Sequence, residues 1–365
     1  MKPASGPRSK DGRRSQRAIQ DATGFAARLV RWQRRCGRHD LPWQGTREPY
    51  RIWLAEIMLQ QTQVPTVIPY YRRFVEHFPD LRSLAAGDTD EVMRLWSGLG
   101  YYSRARNLVR AAATIVAEHD GEFPRRREQL ERLPGVGRST AAAIAVFAFG
   151  AREAILDGNV KRVLARQFAM RGIPTENKVK AKFWRLAESL LPSRSIERYT
   201  QALMDIGATV CLRSKPACGA CPVRDSCAAR HANRVEAFPQ RSKRAPRPSR
   251  ETAMLLLLRD GAVLLEKRPP SGIWGGLWSL PEVNVEADPV ARSRERFGCE
   301  VAGVQALPAV EHKFTHFSLV IRPLLCQVQG VHLRAAQQQV VWMPLSQLKG
   351  VALPAPVMRL LESAG

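Results

Sequence analysis

Four of the seven cysteines in this 365-residue chain fall within 17 residues: Cys211, Cys218, Cys221 and Cys227, spaced C-x6-C-x2-C-x5-C. No other feature narrows the possible folds as much, because the fold must deliver four thiols to one short loop. Four thiolates so placed can enclose a single metal centre, and soft sulfur suits zinc and iron–sulfur clusters alike. Disulfide pairing is the weaker reading, since the N-terminus lacks the apolar stretch of a secretory signal. Arg213, Lys215 and Arg224 decorate the loop, where they would balance thiolate charge or reach a phosphate. Cys36, Cys299 and Cys326 stand alone and read as core residues.

The loop sits in a strongly basic chain. Lys and Arg number 57 against 33 Asp and Glu, a formal charge of +24. Residues 251–365 hold 11 basic and 10 acidic residues, so almost the whole excess lies in the first 250. Such an excess points to a polyanion, with nucleic acid first, because Lys and Arg gain binding free energy by releasing counterions from phosphates. The longest apolar run, Ala141 to Phe149, is nine residues, far short of a membrane span. A length beyond the usual limit of one core predicts two domains.

Composition divides the chain. Residues 1–20 read as a disordered basic tail with Arg13, Arg14 and Arg17. Residues 21–237 read mainly as helices, with apolar residues at helical spacing and Pro and Gly between segments. Residues 238–250 carry three prolines, five basic residues and no acid, a linker composition. Beyond it, Ala253–Leu258 and Ala262–Glu266 flank Asp260-Gly261, a hairpin signal. Leu319–Val328 and Val340–Met343 read as further strands and 289–298 as a helix, so residues 251–365 form an α+β domain.

Three stretches carry chemistry. In LPGVGRSTA, Pro134 stops one helix, and Gly135 and Gly137 let backbone approach a ligand. The next helix then presents free N–H groups, a phosphate site with Arg138 and Ser139 at its mouth. Ile52–Gln61 is apolar on nearly every face and predicts a buried helix, yet Glu56 sits in its middle and must be paired or carry a raised pKa. Asp157, in Leu156-Asp157-Gly158-Asn159, is a second acid at a predicted helix N-cap. Two acids in unlike environments suit glycosidic cleavage, one protonated as the acid and one ionised to stabilise a sugar cation.

These segments, with Leu41-Pro42-Trp43, Gly98-Leu99-Gly100-Tyr101-Tyr102 and LDGNVKRVLAR, resemble the MutY family of A/G-specific adenine DNA glycosylases, within the endonuclease III superfamily. The motifs run in family order over about 190 residues. The resemblance implies a multidomain chain: an all-α helix-hairpin-helix glycosylase domain with an iron–sulfur cluster loop, and a C-terminal α+β Nudix-like domain. It implies a 4Fe-4S cluster on Cys211, Cys218, Cys221 and Cys227, and a duplex DNA partner containing A:8-oxoguanine or A:G mispairs. Adenine would be flipped out and excised. By motif match Glu56 protonates adenine, Asp157 stabilises the sugar cation, Asn159 lies beside the sugar, and Gln61 and Tyr101 wedge into the stack. Gly135, Gly137, Arg138 and Ser139 hold phosphate. Bifunctional relatives place a Schiff-base Lys where this chain has Ser139, so the expectation is a glycosylase without efficient lyase activity.

Leu264–Pro269 and Gly275–Glu282 resemble the front half of a Nudix fold. Its metal helix needs clustered carboxylates, but Ala291–Gly298 has one Glu among three Arg, so this domain is expected to bind and not hydrolyse. Phe314, Thr315 and His316 match the family's 8-oxoguanine-reading loop. The chain is expected to be a monomer, away from membranes, in a bacterial cytoplasm at the nucleoid. The competing functions are a bifunctional oxidised-pyrimidine glycosylase/lyase, disfavoured by Ser139, and a non-catalytic mismatch-binding protein, disfavoured by Glu56 and Asp157.

Overall fold

The computed structural model describes residues 24–242, 246–314, 316–332 and 339–364. The expected tail, 1–20, and Thr315 lie outside the described residues. Helices dominate the first two thirds: α1 (24–36), α2 (Pro49–Leu59), α3 (Val64–His77), α4 (Leu81–Ala86), α5 (Thr89–Trp96), α6 (Ser103–Glu118), α7 (Arg127–Leu130), α8 (Arg138–Phe149), α9 (Gly158–Gln167), α10 (Asn177–Ser189), α11 (Ile196–Asp205) and the short α12 (Ala228–His231). A π-helical turn, Ile206–Val210, continues α11 toward Cys211.

The chain folds into two compact units. The first takes the described residues up to Ala85 and from Arg110 to 242; the second takes Ala86–Val109 and the described residues from 246 on. The second unit is therefore discontinuous in sequence, with α5 and the start of α6 belonging to it.

In the first unit, α2 begins where Pro49 fits the first helical turn and the Glu48 carboxylate accepts from the Tyr50 and Arg51 N–H groups at 2.9 and 2.8 Å. Six of its apolar side chains from Ile52 to Met58 are buried, as its sequence requires. It packs on α8, whose alanines 141–143 and 145 are buried and permit close approach. A second layer of core joins Leu29, Leu164, Phe183, Tyr199 and Ile206, and Cys211, Cys221 and Cys227 pack against it. Cys36 departs from expectation: it is exposed at the end of α1, whereas Cys299 and Cys326 are buried.

The second unit is built on β1 (Ser249–Arg259), β2 (Ala262–Lys267), β3 (Trp278–Ser279), β4 (Glu282–Val283), β5 (Cys299–Ala306), β6 (Val310–Lys313), β7 (Ser318–Val331) and β8 (Val340–Pro344), with α13 (Pro289–Phe297) and α14 (Ala355–Ala364). The main sheet order is β3-β2-β1-β7-β5, with β1 and β7 parallel and the other pairs antiparallel. The expected hairpin is present. Asp260 and Gly261 both adopt positive φ, +49° and +73°, as a tight turn between β1 and β2 demands. Strand β5 was not legible in advance. Its last five residues are exposed, so it carries no alternation of apolar and polar residues.

No described helix is long and apolar enough to cross a membrane.

Candidate active site

Glu56 lies on α2, where the chain passes from the buried core to a cavity of about 490 Å³. Trp43, Gln44, Leu59 and Phe147 share its lining. Burial pushes the Glu56 carboxyl up to about 8, and the charge of nearby Asp157 adds to the rise. Nothing opposes it, so Glu56 holds its proton at neutral pH.

Asp157 caps α9. Its carboxylate accepts from the Val160 N–H at 2.7 Å. Burial raises this carboxyl too, and the Val160 and Asn159 backbone donors and the charges of Arg162 and Lys161 offset only part of that rise. The pair is asymmetric. One carboxyl has only proton-retaining neighbours, and the other sits at a helix N-terminus with cations nearby. The surroundings of Asp157 favour its ionised form and those of Glu56 do not.

The turn that carries Asp157 is held from two sides. The Leu156 N–H donates to Ser139 Oγ at 2.9 Å, so the Ser139 hydroxyl braces the residue before the acid. On the other side, Arg162 Nη2 donates to Asn159 Oδ1 at 2.8 Å and to the Gly207 carbonyl at 2.6 Å, while its Nε reaches the Cys211 carbonyl at 2.8 Å. A Cβ at Gly207 would lie 2.6 Å from Asn159 Cβ, so only glycine allows α9 and the π-helical turn this close.

The expected hairpin joins α7 to α8. Gly135 has φ +77°, and its carbonyl accepts from Gln60 Nε2 at 3.2 Å. Gly137 is the N-cap of α8 and has open space around it, which leaves the helix N-terminus free for an anion. Arg138 turns to the protein itself: its guanidinium lies 4.0 Å over the Trp184 ring and pairs with Glu188.

Cys211, Cys218, Cys221 and Cys227 line one small cavity together with Arg166, Arg224 and Arg230. Arg166 is 2% exposed, and its Nη1 lies 3.4 Å from Cys211 Sγ and 2.6 Å from the Leu212 carbonyl. Burial pushes the Cys221 thiol up to about 11 and raises Cys227, and the other cysteines add to both. Four thiolates will not coexist there without positive charge at their centre. Among the described residues no three His, Cys, Asp or Glu side chains close around a single metal ion. The loop instead offers a cavity ringed by four soft donors and flanked by arginines. That donor set fits an iron–sulfur cluster.

The remaining expected residues are divided between the units. Gln61 follows α2 in the first unit, exposed and at φ +59°. Tyr101 belongs to the second unit, 44% exposed at φ +50°, with Arg104 5.4 Å from its ring centroid. Phe314 and Phe317 close the tip of the β6–β7 hairpin. The Phe314 N–H donates to the Phe317 carbonyl at 2.9 Å, the two rings stack at 4.6 Å, and His316 between them is exposed. On α13, Arg296 pairs with Glu266 at 2.5 Å and Arg292 with Glu295 at 2.7 Å, while Arg268 pairs with Glu282 at 2.6 Å. Guanidinium groups thus stand against the carboxylates of this face.

Sequence reasoning missed Arg162, Arg166 and Trp274. The two arginines were one turn apart on a helix already singled out, but their partners are carbonyls, which leave no mark in a sequence. Trp274, described below, lay in a loop with no pattern of its own.

Two families match. The NUDIX domain family covers residues 252–363, and the HhH-GPD superfamily of base excision DNA repair proteins covers 54–189. An adenine DNA glycosylase of Buchnera aphidicola subsp. Baizongia pistaciae is 34% identical over 92% of this chain and 95% of its own. The Homo sapiens adenine DNA glycosylase is 34% identical over 86% of this chain and 69% of its own. A solved structure of a thermostable thymine-DNA glycosylase, 29% identical, superposes with a TM-score of 0.54 over 58% of this chain and 98% of that one.

Proposed function

The chain belongs to the adenine DNA glycosylase family, and on that premise we propose that it excises adenine opposite 8-oxoguanine or guanine in duplex DNA, with Glu56 as the acid and Asp157 as the carboxylate facing the sugar. The observation that carries this reading is the asymmetry of the two carboxyls: nothing opposes the rise of Glu56 to about 8, whereas backbone donors and cations offset part of the rise that burial imposes on Asp157. Protonated Glu56 gives its proton to the departing adenine, which leaves as a neutral base and not as an anion. The glycosidic bond breaks with the electron pair going to the base. Ionised Asp157 stabilises the oxocarbenium-like sugar until water adds. Asn159, fixed by Arg162, orients groups beside the sugar. The cavity beside Glu56 receives the flipped base, since the reacting atoms are out of reach in the stack.

The N-terminus of α8 at Gly135 and Gly137 takes a backbone phosphate, and Gln61 and Tyr101 fill the gap that flipping leaves. Cys211, Cys218, Cys221 and Cys227 hold a 4Fe-4S cluster, which supplies the central positive charge the thiolates need. The Nudix-like unit reads 8-oxoguanine through Phe314, Thr315 and His316, and its arginine-matched carboxylates do not take Mg²⁺. Ser139 has no amine, and its hydroxyl is already engaged by Leu156, which supports excision without efficient strand cleavage. The enzyme works as a monomer on chromosomal DNA, in a bacterial cytoplasm. The organisation proposed is a catalytic region of 21–237, a linker of 238–250 and a lesion-reading region from 251.

The test is single-turnover excision on mismatched duplexes, with the visible absorbance of the purified protein recorded alongside. Adenine lost from A:8-oxoguanine, with strand breakage only after alkali, is the expected result. Breakage without alkali, trapped by borohydride, overturns the monofunctional reading, and intact adenine overturns the substrate.

A further inference from the structure

The loop from Pro269 to Gly276 holds a feature that the proposed chemistry does not use. Trp274 is 8% exposed and has φ +53°, a conformation that bulky side chains rarely adopt. Its neighbours hold it there. A Cβ at Gly275 would meet the Pro270 carbonyl oxygen at 2.6 Å, so no side chain fits, and the Gly276 N–H donates back to the Pro269 carbonyl at 3.1 Å. Arg268 lies 5.9 Å from the Trp274 ring centroid, and its Nε donates to the Ile273 carbonyl at 2.8 Å.

The tryptophan ring faces the tip of the β6–β7 hairpin. Its centroid lies 5.4 Å from Phe314 and 5.7 Å from His312, and His312 meets Phe314 edge-on at 4.6 Å. Phe314 in turn stacks on Phe317. The hairpin tip is therefore seated on an aromatic stack that starts from a strained loop. One residue on, the Gly275 carbonyl accepts from Arg106 Nη1. Arg106 is on α6, five residues after Tyr101, and Met93 of α5 lies beside Gly276. Lys267, just before the loop, pairs with Asp90 of α5 at 2.6 Å. The segment carrying Tyr101 and the hairpin carrying Phe314 thus meet at one loop of one folded unit.

We propose that Trp274 is a positioning residue for lesion recognition: it seats the Phe314–Phe317 hairpin and, through the Arg106–Gly275 hydrogen bond next to it, ties that hairpin to the segment bearing Tyr101. This rests on the reading of the hairpin as the 8-oxoguanine reader. Insertion of Tyr101 is then set by whether the hairpin has found its lesion, because a shift in the hairpin moves Trp274 and the carbonyl that holds Arg106. An untethered wedge would enter stacks opposite any adenine.

The test compares A:8-oxoguanine with A:G duplexes in the full-length protein. One measurement is excision kinetics, and the other is the fluorescence of 2-aminopurine placed beside the lesion as a report of unstacking. In Trp274→Ala the preference for 8-oxoguanine over guanine falls about tenfold, the upper worth of an aromatic contact. The loss appears in KM and not in the excision rate at saturation, and Trp274→Phe recovers most of it. In Arg106→Ala the fluorescence change no longer depends on the lesion, and Arg106→Lys restores part of that dependence. If the wild type shows no preference between the duplexes, the hairpin reading fails and the proposal with it. If the wild type discriminates and Trp274→Phe, Trp274→Ala and Arg106→Ala all keep its ratio, the tether is refuted while the hairpin reading stands. Should Trp274→Ala melt out before assay, the lesion dependence of the Arg106→Ala signal decides alone.

Discussion

Changing Glu56 to Gln should make the protein more stable and nearly inactive, and the stability gain should depend on pH. Glu56 titrates near 8 in the fold against 4.5 when exposed. At pH 7 about nine in ten molecules keep the proton, where an ordinary Glu would keep it in roughly one of three hundred. The folded pKa is raised, so the carboxyl costs nothing below 4.5, and stability is lost as pH climbs from there through 8. At pH 7.5 the full loss is about 4 kcal/mol at about 1.4 kcal/mol per pKa unit. Glu56 lines a cavity that is open to solvent on one side, and screening there reduces the figure to about 2 kcal/mol. Glutamine fills the same volume without an ionisation to suppress. Its variant should melt roughly 4–8 °C higher than wild type at pH 7.5, from the usual conversion for a domain of this size. The gap should close toward pH 5. Excision should fall by about 10² or more, the contribution of a positioned general acid. The assay is thermal melting by circular dichroism at 222 nm across pH 5–8.5, beside single-turnover excision. A variant that melts at or below the wild type at pH 7.5, or a gap that stays constant with pH, refutes the claim that burial suppresses ionisation of Glu56.

Three other perturbations probe the same site. Asp157→Asn keeps an oxygen for the Val160 N–H, so melting should move by less than about 1 kcal/mol while excision drops by about 10² or more; a matching collapse of the fold would make Asp157 a cap and nothing else. Ser139→Ala orphans the Leu156 N–H, which should cost about 1–3 kcal/mol in chemical denaturation and slow excision by loosening the Asp157 turn; unchanged stability would show that the bond contributes nothing. Gly207→Ala drives a methyl to 2.6 Å from Asn159, and excision should fall with a stability loss of about 1–3 kcal/mol, read by the same two assays.

The sequence exposed what local chemistry writes into it. Pro134, Asp260-Gly261 and the cysteine spacing name a helix stop, a turn and a ligand loop. Glu56 was visible because a carboxylate in an apolar run is unusual, and Asp157 because it falls at a predicted N-cap inside a recognisable motif. The groups that make their surroundings unequal were not visible. The braces on Asp157 come from Ser139, 18 residues away, and from Arg162, whose own partners are the carbonyls of Gly207 and Cys211. Strand β5 hid because its outer half is solvated. The allocation of Ala86–Val109 to the second unit was also hidden, since Asp90, Met93 and Arg106 look like any helix surface until Lys267 and Gly275 are placed beside them.

That allocation bears on how such a protein can be divided or inherited. A cut within 238–250 does not release the second unit whole, because α5 and the start of α6 stay with the other fragment. A fragment beginning at residue 246 would bare Gly276 and leave Lys267 and the Gly275 carbonyl without the partners they have here. The reverse fragment would leave Asp90, Met93 and Arg106 uncovered. Lesion reading is then not a cassette appended to a finished glycosylase. The two parts share a stretch of chain, and recombination at the proline-rich segment would separate neither of them cleanly.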